Sequence, residues 1–249
     1  MAESFEPIGD YRGGHSDRGG KYDSSVAGDP FGAYMTAWET WHVAALLQSH
    51  MSRGVTRCLD FACGTGRMTT VLGRVAQEVV GVDISESMIT EARKKLPSAR
   101  FVVADLTSEG VDLGTFDLVS SFRFFGNAET DLRIKVLREL NRRMKDGAFL
   151  MVNNHRNPAA LINRLDRAQG VHVDMDLTPA KFKRLLREAG FEIVTVRPIG
   201  VWMVRHALVS KAGSRPELES RLESLFASAV WAPLAPDAVI LAKKVRASA

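Results

Sequence analysis

Apolar positions recur along this chain with two alternating periods. Phe31, Tyr34, Trp38, Trp41, Val43, Leu46 and Leu47 stand at helical spacing, which predicts a helix over about 32–50 with an aromatic-rich face. Short apolar runs then alternate with helical stretches. Arg57–Phe61 reads as a strand that enters a pair of glycines and a helix from about Gly66 to Val75. Val79–Val82 is a second strand ending at Asp83, and the helix Ser85–Lys95 after it is stopped by Pro97. Phe101–Ala104 predicts a third strand, ending at Asp105, and Phe116–Ser120 a fourth, followed by an amphipathic helix from about Glu129 to Met144. Asp146-Gly147 turns the chain into a fifth strand, Phe149–Val152. Thr178-Pro179 opens a further helix that Gly190 ends, and Phe191–Arg197 and Ala238–Val245 are the sixth and closing strands. Strands alternating with helices imply an α/β fold, a doubly wound and mostly parallel sheet with helices on both faces. Ligands of such sheets bind beyond the carboxyl ends of the strands, near the point where strand order reverses.

Length and composition refine this picture. A chain of 249 residues fits one large domain with extra elements better than two domains. Residues 1–20, rich in Gly, Asp, Arg and Ser, read as a flexible arm; residues 21–249 read as a single domain, with 21–50 an N-terminal lid and 199–236 an insertion. That insertion is longer than a hairpin needs, which suits a cap over a site or a homodimer face. No apolar run approaches the roughly 20 residues of a membrane span, and the first residues lack a basic-then-apolar leader pattern, so the expected location is the cytoplasm. Cys58 and Cys63 lack paired spacing, so neither a structural disulfide nor a zinc site is expected, and His15, His172 and His206 have no partners at metal-ligand spacing. The net charge of +4 is spread over several helices, Arg133, Lys135, Arg138, Arg142 and Arg143 among them, and no nucleic-acid partner is expected.

The chemistry begins where the first strand runs into Gly64-Thr65-Gly66. Glycine suits a sharp turn at which backbone approaches a ligand, and the helix that follows offers free amides to an anionic group. Alone, this pattern also opens nicotinamide-cofactor sites, but that fingerprint wants a small residue three positions on, where this chain has Thr69. Asp83 follows about twenty residues later, where a carboxylate grips a ribose diol. Asp105, at the third strand end, is placed to accept from an adenine amino group. Three successive strand ends therefore present a glycine turn, an acid and an acid.

Leu59–Arg67 (LDFACGTGR), VVGVDISESMI, FVVADL and FDLVSSFRFF resemble the successive motifs of class I S-adenosylmethionine-dependent methyltransferases, over roughly residues 55–200. The resemblance implies a seven-stranded sheet with an antiparallel final strand and S-adenosylmethionine as cofactor. It places Ala62, Gly64 and Gly66 against the methionine part, Asp60 near its amino group and Asp83 on the ribose. Ile84 and Met88 would pack on adenine, Asp105 would meet its amino edge, Leu106 would flank the ring, and Ser121 would border the cofactor. The aromatic N-terminal helix resembles the lid of small-molecule members, with Tyr22 reaching the cofactor carboxylate and Trp38 the substrate. Packing of that aromatic stripe on the sheet is the alternative.

The segment after the fourth strand differs from the Asn/Asp-Pro-Pro-aromatic run of enzymes that methylate nucleobase amines. Phe122 and Phe125 instead offer an apolar wall to a substrate, and Arg123 a guanidinium for a phosphate or carboxylate. At the fifth strand end, Asn154 offers hydrogen bonds to a polar substrate, and His155 is the candidate general base for a hydroxyl, since its neutral imidazole accepts a proton near pH 7. Arg123 on the surface and His155 as a helix-capping loop residue are the competing readings. The expected function is methyl transfer to a hydroxyl or amine of a polar small molecule such as a sugar, glycolipid headgroup or natural-product intermediate. An RNA or protein methyltransferase is one alternative; a catalytically inactive cofactor-binding subunit is another.

Overall fold

Seven strands make one mixed sheet in the computed structural model, which describes residues 20, 28–52, 54–108, 111–168, 176–203 and 216–245. The strands are β1 (Val55–Phe61), β2 (Ala76–Asp83), β3 (Arg100–Val103), β4 (Phe116–Ser121), β5 (Met144–Asn153), β6 (Phe191–Ile199) and β7 (Asp237–Lys244). Their spatial order is β3-β2-β1-β4-β5-β7-β6. The first five run parallel, and β7 lies antiparallel between β5 and β6. Strand order reverses between β1 and β4, so the crevice expected to hold a ligand opens at their carboxyl ends.

The helices are α1 (Pro30–His50), α2 (Arg67–Leu72), α3 (Glu86–Lys95), α4 (Thr130–Arg142), α5 (Leu161–Ala168), α6 (Pro179–Glu188) and α7 (Pro216–Leu225). Their starts follow from local chemistry. Asp29 accepts from the amides of Phe31 and Gly32 with Pro30 in the first turn, Ser85 caps Met88 N, and Thr178 caps Lys181 N ahead of Pro179.

Successive strand residues point to opposite faces and fill two separate cores. Leu59, Val119, Leu150 and Ile240 face one core, which α4 and α6 cover with Val136, Leu137, Leu140, Phe182 and Leu186. Cys58, Leu118, Met151, Val239 and Leu241 face the other, covered by α1 and α2 through Met35, Val43, Leu46, Met68 and Leu72. The central strands are apolar on both faces, as parallel strands between helical layers must be.

Several boundaries differ from expectation. β5 already starts at Met144 and passes through Asp146-Gly147, because Gly147 at φ 77° and a register shift against β4 absorb the turn within the strand. α2 stops at Leu72 against Gly73, short of Val75. α5 was not anticipated; it buries only Ile162 and Asn163, too little to imprint a periodicity. Within the 199–236 insertion, α7 ends at Leu225, and a separate 3₁₀ turn over Ala229–Trp231 starts on the Ser228 cap. Among the described residues no helix is long and apolar enough to cross a membrane. Residues 1–19, Tyr22, His15, His172 and His206 lie outside the described residues.

Candidate active site

The ends of β1, β4 and β5 share one unusual feature. Ala62, Arg123 and Arg156 follow those strands by one, two and three residues, and all hold positive φ, at 54°, 60° and 59°. Left-handed backbone at non-glycine residues costs energy, and such strain concentrates at functional sites. These are the only non-glycine residues of that kind among the described residues.

On one side of the crevice the geometry is set by backbone. Gly64 adopts φ 53°, and a Cβ there would meet nothing within 4 Å, so the turn borders open space. Gly66, at φ 79°, packs so closely on α3 that a Cβ would lie 3.0 Å from that of Ala92. Asp83 holds the turn: its carboxylate accepts from Gly64 N at 2.8 Å and from Ser85 N at 3.0 Å. Asp105 accepts from the amide and hydroxyl of Thr107. Ile84 is 37% exposed at the β2 end, as a ligand-facing apolar side chain would be, whereas Met88 and Leu106 are buried. Ser121 Oγ is buried with no hydrogen-bond partner among the described residues.

Asp60 lies deeper than its expected place near a cofactor amino group. It is 1% exposed and accepts from Ser120 Oγ at 2.5 Å and Thr69 Oγ1 at 2.6 Å. Burial pushes its carboxyl up to about 6, against the pull of those hydroxyls and of Arg67. It therefore braces β1, β4 and α2 from within, and any influence on a ligand passes through the strand ends. Thr69, which in the sequence only spoiled a dinucleotide fingerprint, is one of its two donors.

On the other side the geometry is set by side chains. Glu39, on α1 and 0% exposed, receives Arg67 Nη2 at 2.8 Å, Arg123 Nη2 at 3.1 Å and Asn153 Nδ2 at 2.7 Å. Arg123 also reaches Thr36 Oγ1. Asn153 bridges onward to Asp237 Oδ2 at 3.1 Å, and the same oxygen lies 2.9 Å from His155 Nδ1. Burial, then the nearby Arg123, holds the His155 imidazole well below its usual pKa, so it is neutral at pH 7. With Nδ1–H donated to Asp237, the lone pair stands on Nε2. Gly126 fixes the His155 backbone, since a Cβ there would fall 2.5 Å from its carbonyl oxygen.

Some expectations about the acceptor wall need correction. Phe125 is fully buried in the core between Phe124 and Phe182 and faces no crevice. Asn154 is also interior: its amide donates to Leu177 O, which ties β5 to the start of α6. Phe122 is nearly buried, in the core beneath α1. Trp38 is half-buried in an aromatic row with Tyr34, Trp41 and His42. Arg123 is no surface residue, being 12% exposed in its ion pair.

Sequence reasoning missed Glu39, Arg67 and Asp237 as site residues. Glu39 carried a signal, because it falls on the buried face of α1 set by Met35, His42, Val43 and Leu46. Asp237 gave little, as a lone acid before an apolar strand.

Histidine spacing along the chain also overlooked a metal-capable group, since Glu39, His155 and Asp237 bring one ligand atom each within 4.8 Å of one another. Arg67 and Arg123 already balance the two acids there. At about 4 Å each guanidinium would oppose an added charge by roughly 4 kcal/mol per unit at an effective dielectric of 20. The two guanidiniums thus stand against an added cation at this cluster.

A glycine turn and two acids stand at successive strand ends of a doubly wound sheet, the arrangement that the sequence motifs imply. Residues 58–147 match a family described as "Methyltransferase domain". The chain is 31% identical over 114 residues to a demethylmenaquinone methyltransferase of Beutenbergia cavernae, covering 46% of this chain and 47% of that protein. It is 29% identical over 150 residues to the magnesium-protoporphyrin O-methyltransferase of Rhodobacter capsulatus, covering 50% of this chain and 66% of that one. The chain thus spans about half or less of the first curated relatives it matches. The magnesium protoporphyrin IX methyltransferase of Synechocystis PCC 6803 with bound SAM shares the fold at a TM-score of 0.62 and 16% identity, over 98% of this chain and all of that one. Residues 58–147 thus match a methyltransferase domain, and the chain shares the fold of S-adenosylmethionine-dependent methyltransferases. The residues fit that cofactor: the space above Gly64, the acids Asp83 and Asp105, the exposed Ile84 and the unpartnered Ser121 Oγ are what a polar nucleoside with an apolar base requires.

Proposed function

We propose that the chain methylates a hydroxyl of a polar small molecule, with His155 as general base and Asp237 orienting it. One observation carries this reading. A neutral, part-buried imidazole at the end of β5 is hydrogen-bonded through Nδ1 to a buried carboxylate, and an ion pair links its cluster to the glycine turn through Arg67.

Ala62, Gly64, Gly66, Asp83, Ile84, Met88, Asp105, Leu106 and Ser121 would hold S-adenosylmethionine. When bound, it supplies a methyl carbon whose bond to sulfur breaks as the acceptor oxygen attacks, the electron pair staying on sulfur. The protein's own task is to align the acceptor, exclude water and take the hydroxyl proton. His155 Nε2 receives that proton, and Asp237 stabilises the imidazolium that forms. Burial pushes the Asp237 carboxyl up, while its hydrogen bonds and Arg123 pull it down. Phe122 and the Trp38 row keep the surroundings apolar, which strengthens each polar contact. A hydroxyl acceptor is favoured over an amine because an amine needs no base, and a dyad is built here.

Calorimetry on the full chain with S-adenosylmethionine tests the donor half. Asp83→Ala should weaken binding by about 10- to 100-fold, the worth of a hydrogen bond to a charged group. Labelled methyl transfer to a panel of sugars, phenols and hydroxy acids tests the acceptor half. His155→Ala should cut kcat by about 10²–10⁴ with cofactor affinity intact. Unchanged turnover would remove the base, and unchanged affinity in Asp83→Ala would remove the cofactor assignment.

A further inference from the structure

Glu39 fills a carboxylate cradle made by Arg67, Arg123 and Asn153. Its carboxylate belongs to the lid helix, not to the strand ends, and it is the one group on which both arginines of the crevice converge. Arg67 comes from the first residue of α2, directly after the glycine turn, and Arg123 from the strained loop after β4. Asn153, at the end of β5, adds a third donor. The donor set suits a planar, two-oxygen ligand: Arg123 Nε and Asn153 Nδ2 address Oε1, and Arg67 Nη2 and Arg123 Nη2 address Oε2.

Glu39 leaves this cradle incompletely filled. Arg67 meets it through Nη2 alone, and Nη1 is buried with no hydrogen-bond partner among the described residues. Buried guanidinium N–H groups are ordinarily paired, and arginine prefers to hold a carboxylate with two parallel bonds. The unmet donor is a buried cost that a carboxylate holding Arg67 through two parallel bonds would remove.

We infer that the acceptor carries a carboxylate, which takes the place of Glu39 on Arg67, Arg123 and Asn153 and sets the acceptor's hydroxyl against His155. The inference rests on the methyltransferase reading above and specifies its substrate as a short hydroxy acid. Charge supports the exchange. One carboxylate replacing another leaves the two guanidiniums balanced, whereas a neutral acceptor in that place would strip them of a counter-ion and a divalent cation would add charge of their own sign. Distance supports it too, because Glu39 and His155 offer polar atoms within 4.8 Å of each other, so a hydroxyl a few bonds from the seated carboxylate falls within reach of the imidazole. Displacement needs only rotation about the side-chain torsions of Glu39.

The test is calorimetric titration of the full chain, preloaded with S-adenosylhomocysteine, using glycolate and 3-hydroxybutyrate, with glycolamide, inorganic phosphate and Zn²⁺ as comparisons. Wild type should bind the hydroxy acids weakly, because Glu39 competes, and glycolamide not at all. Glu39→Gln removes the competitor and should bind them at least about tenfold tighter. Should Glu39→Gln fail to fold, Glu39→Asp, which keeps the charge but withdraws it by one methylene, should tighten binding several-fold. Arg123→Met should abolish binding while leaving S-adenosylhomocysteine affinity in place. The inference is overturned if neither Glu39 variant tightens binding, if Arg123→Met leaves it unchanged, or if phosphate binds better than the hydroxy acids. It is equally overturned if Zn²⁺ binds and His155→Ala removes that binding. Failure of S-adenosylhomocysteine to bind at all would sink the cofactor reading instead, so the two failures are distinguishable.

Discussion

The two sides of the crevice are built by opposite means. The side at the ends of β1, β2 and β3 is made of backbone turns and short-range capping, with Gly64, Gly66, Asp83, Ser85 and Asp105 inside about forty residues of chain. The side at α1 and the ends of β4, β5 and β7 is made of long side chains, Glu39, Arg67, Arg123, Asn153, His155 and Asp237, spread from one end of the fold to the other. A donor common to a family can be gripped by a local motif that survives everywhere. An acceptor peculiar to one enzyme has to be gripped by residues that tertiary structure alone brings together.

The sharpest way to break that contrast is to remove the hub of the side-chain half. Glu39→Ala leaves two guanidiniums and an amide buried around an empty place, and removing one partner of a buried ion pair typically costs about 3–5 kcal/mol. Urea unfolding should show a loss of that size. A loss below about 1 kcal/mol would mean that water already reaches the cluster.

The two sides should also respond to acid in opposite directions. On the glycine-turn side, Asp60 has its folded pKa raised to about 6 by burial, so the folded state holds a proton that the unfolded chain lacks. Its contribution is fully present below the unfolded value near 3.8 and is lost as pH rises through 6. On α1, His42 is held down to about 4, by burial first and then by Arg197. Its contribution is fully present above 6.5 and is lost as pH falls toward 4. Each is on the order of 3 kcal/mol, so between pH 6 and 4 they largely offset. Against wild type over the same range, stability should fall more steeply with acid in Asp60→Asn and less steeply, or rise, in His42→Gln. Parallel curves for all three proteins would refute both assignments.

These examples show what could be read from the chain beforehand. The seven strands, the crevice and the turn that Gly64 and Asp83 build were legible because each depends on neighbours within a few positions: glycines before a helix, an acid closing an apolar run, a cap before a proline. The depth of Asp60 was not legible, since only the pairing of β1 with β4 shows that Ser120 reaches it. Phe122-Arg123-Phe124-Phe125 read as one wall, yet the left-handed turn at Arg123 separates a guanidinium that enters the site from the Phe125 ring that enters the core. Asp237 and His155 meet only because β7 inserts antiparallel beside β5.

A finer comparison separates stability from binding within the glycine turn. Gly66→Ala must hold φ 79° and place a Cβ 3.2 Å from the Cα of Ala92, which is backbone and cannot rotate away. A stability loss of about 2–3 kcal/mol is expected, the left-handed penalty of roughly 1–2 plus the contact. Gly64→Ala meets open space at φ 53°, so only the conformational penalty applies, about 1 kcal/mol. Its Cβ, however, enters the volume assigned to the cofactor, and S-adenosylhomocysteine affinity should drop about tenfold or more. Equal stability losses in the two variants, with cofactor affinity of Gly64→Ala preserved, would place the ligand elsewhere.

The smallest effect concerns what holds α1 against the side-chain half. Glu223 of α7 is almost fully buried, and its Oε1 accepts from the Tyr34 hydroxyl, from Trp202 Nε1 at 3.0 Å and from Gly200 N at 2.8 Å, joining α7 and the end of β6 to the lid helix. Burial raises its carboxyl, so the charge it carries there is costly and its three donors supply the compensation. Glu223→Gln keeps an acceptor oxygen for those donors and removes the charge, and stability should change by no more than about 1 kcal/mol. The informative readout is amide exchange along Tyr34–Glu39. A neutral acceptor holds the Tyr34 hydroxyl less strongly, so those amides should exchange several-fold faster while the β1 amides stay as they were. Faster exchange in both segments would mean that the change loosens the whole fold. No change in either would mean that the lid is held by its apolar face alone, and that Glu39 is kept over the arginines without help from α7.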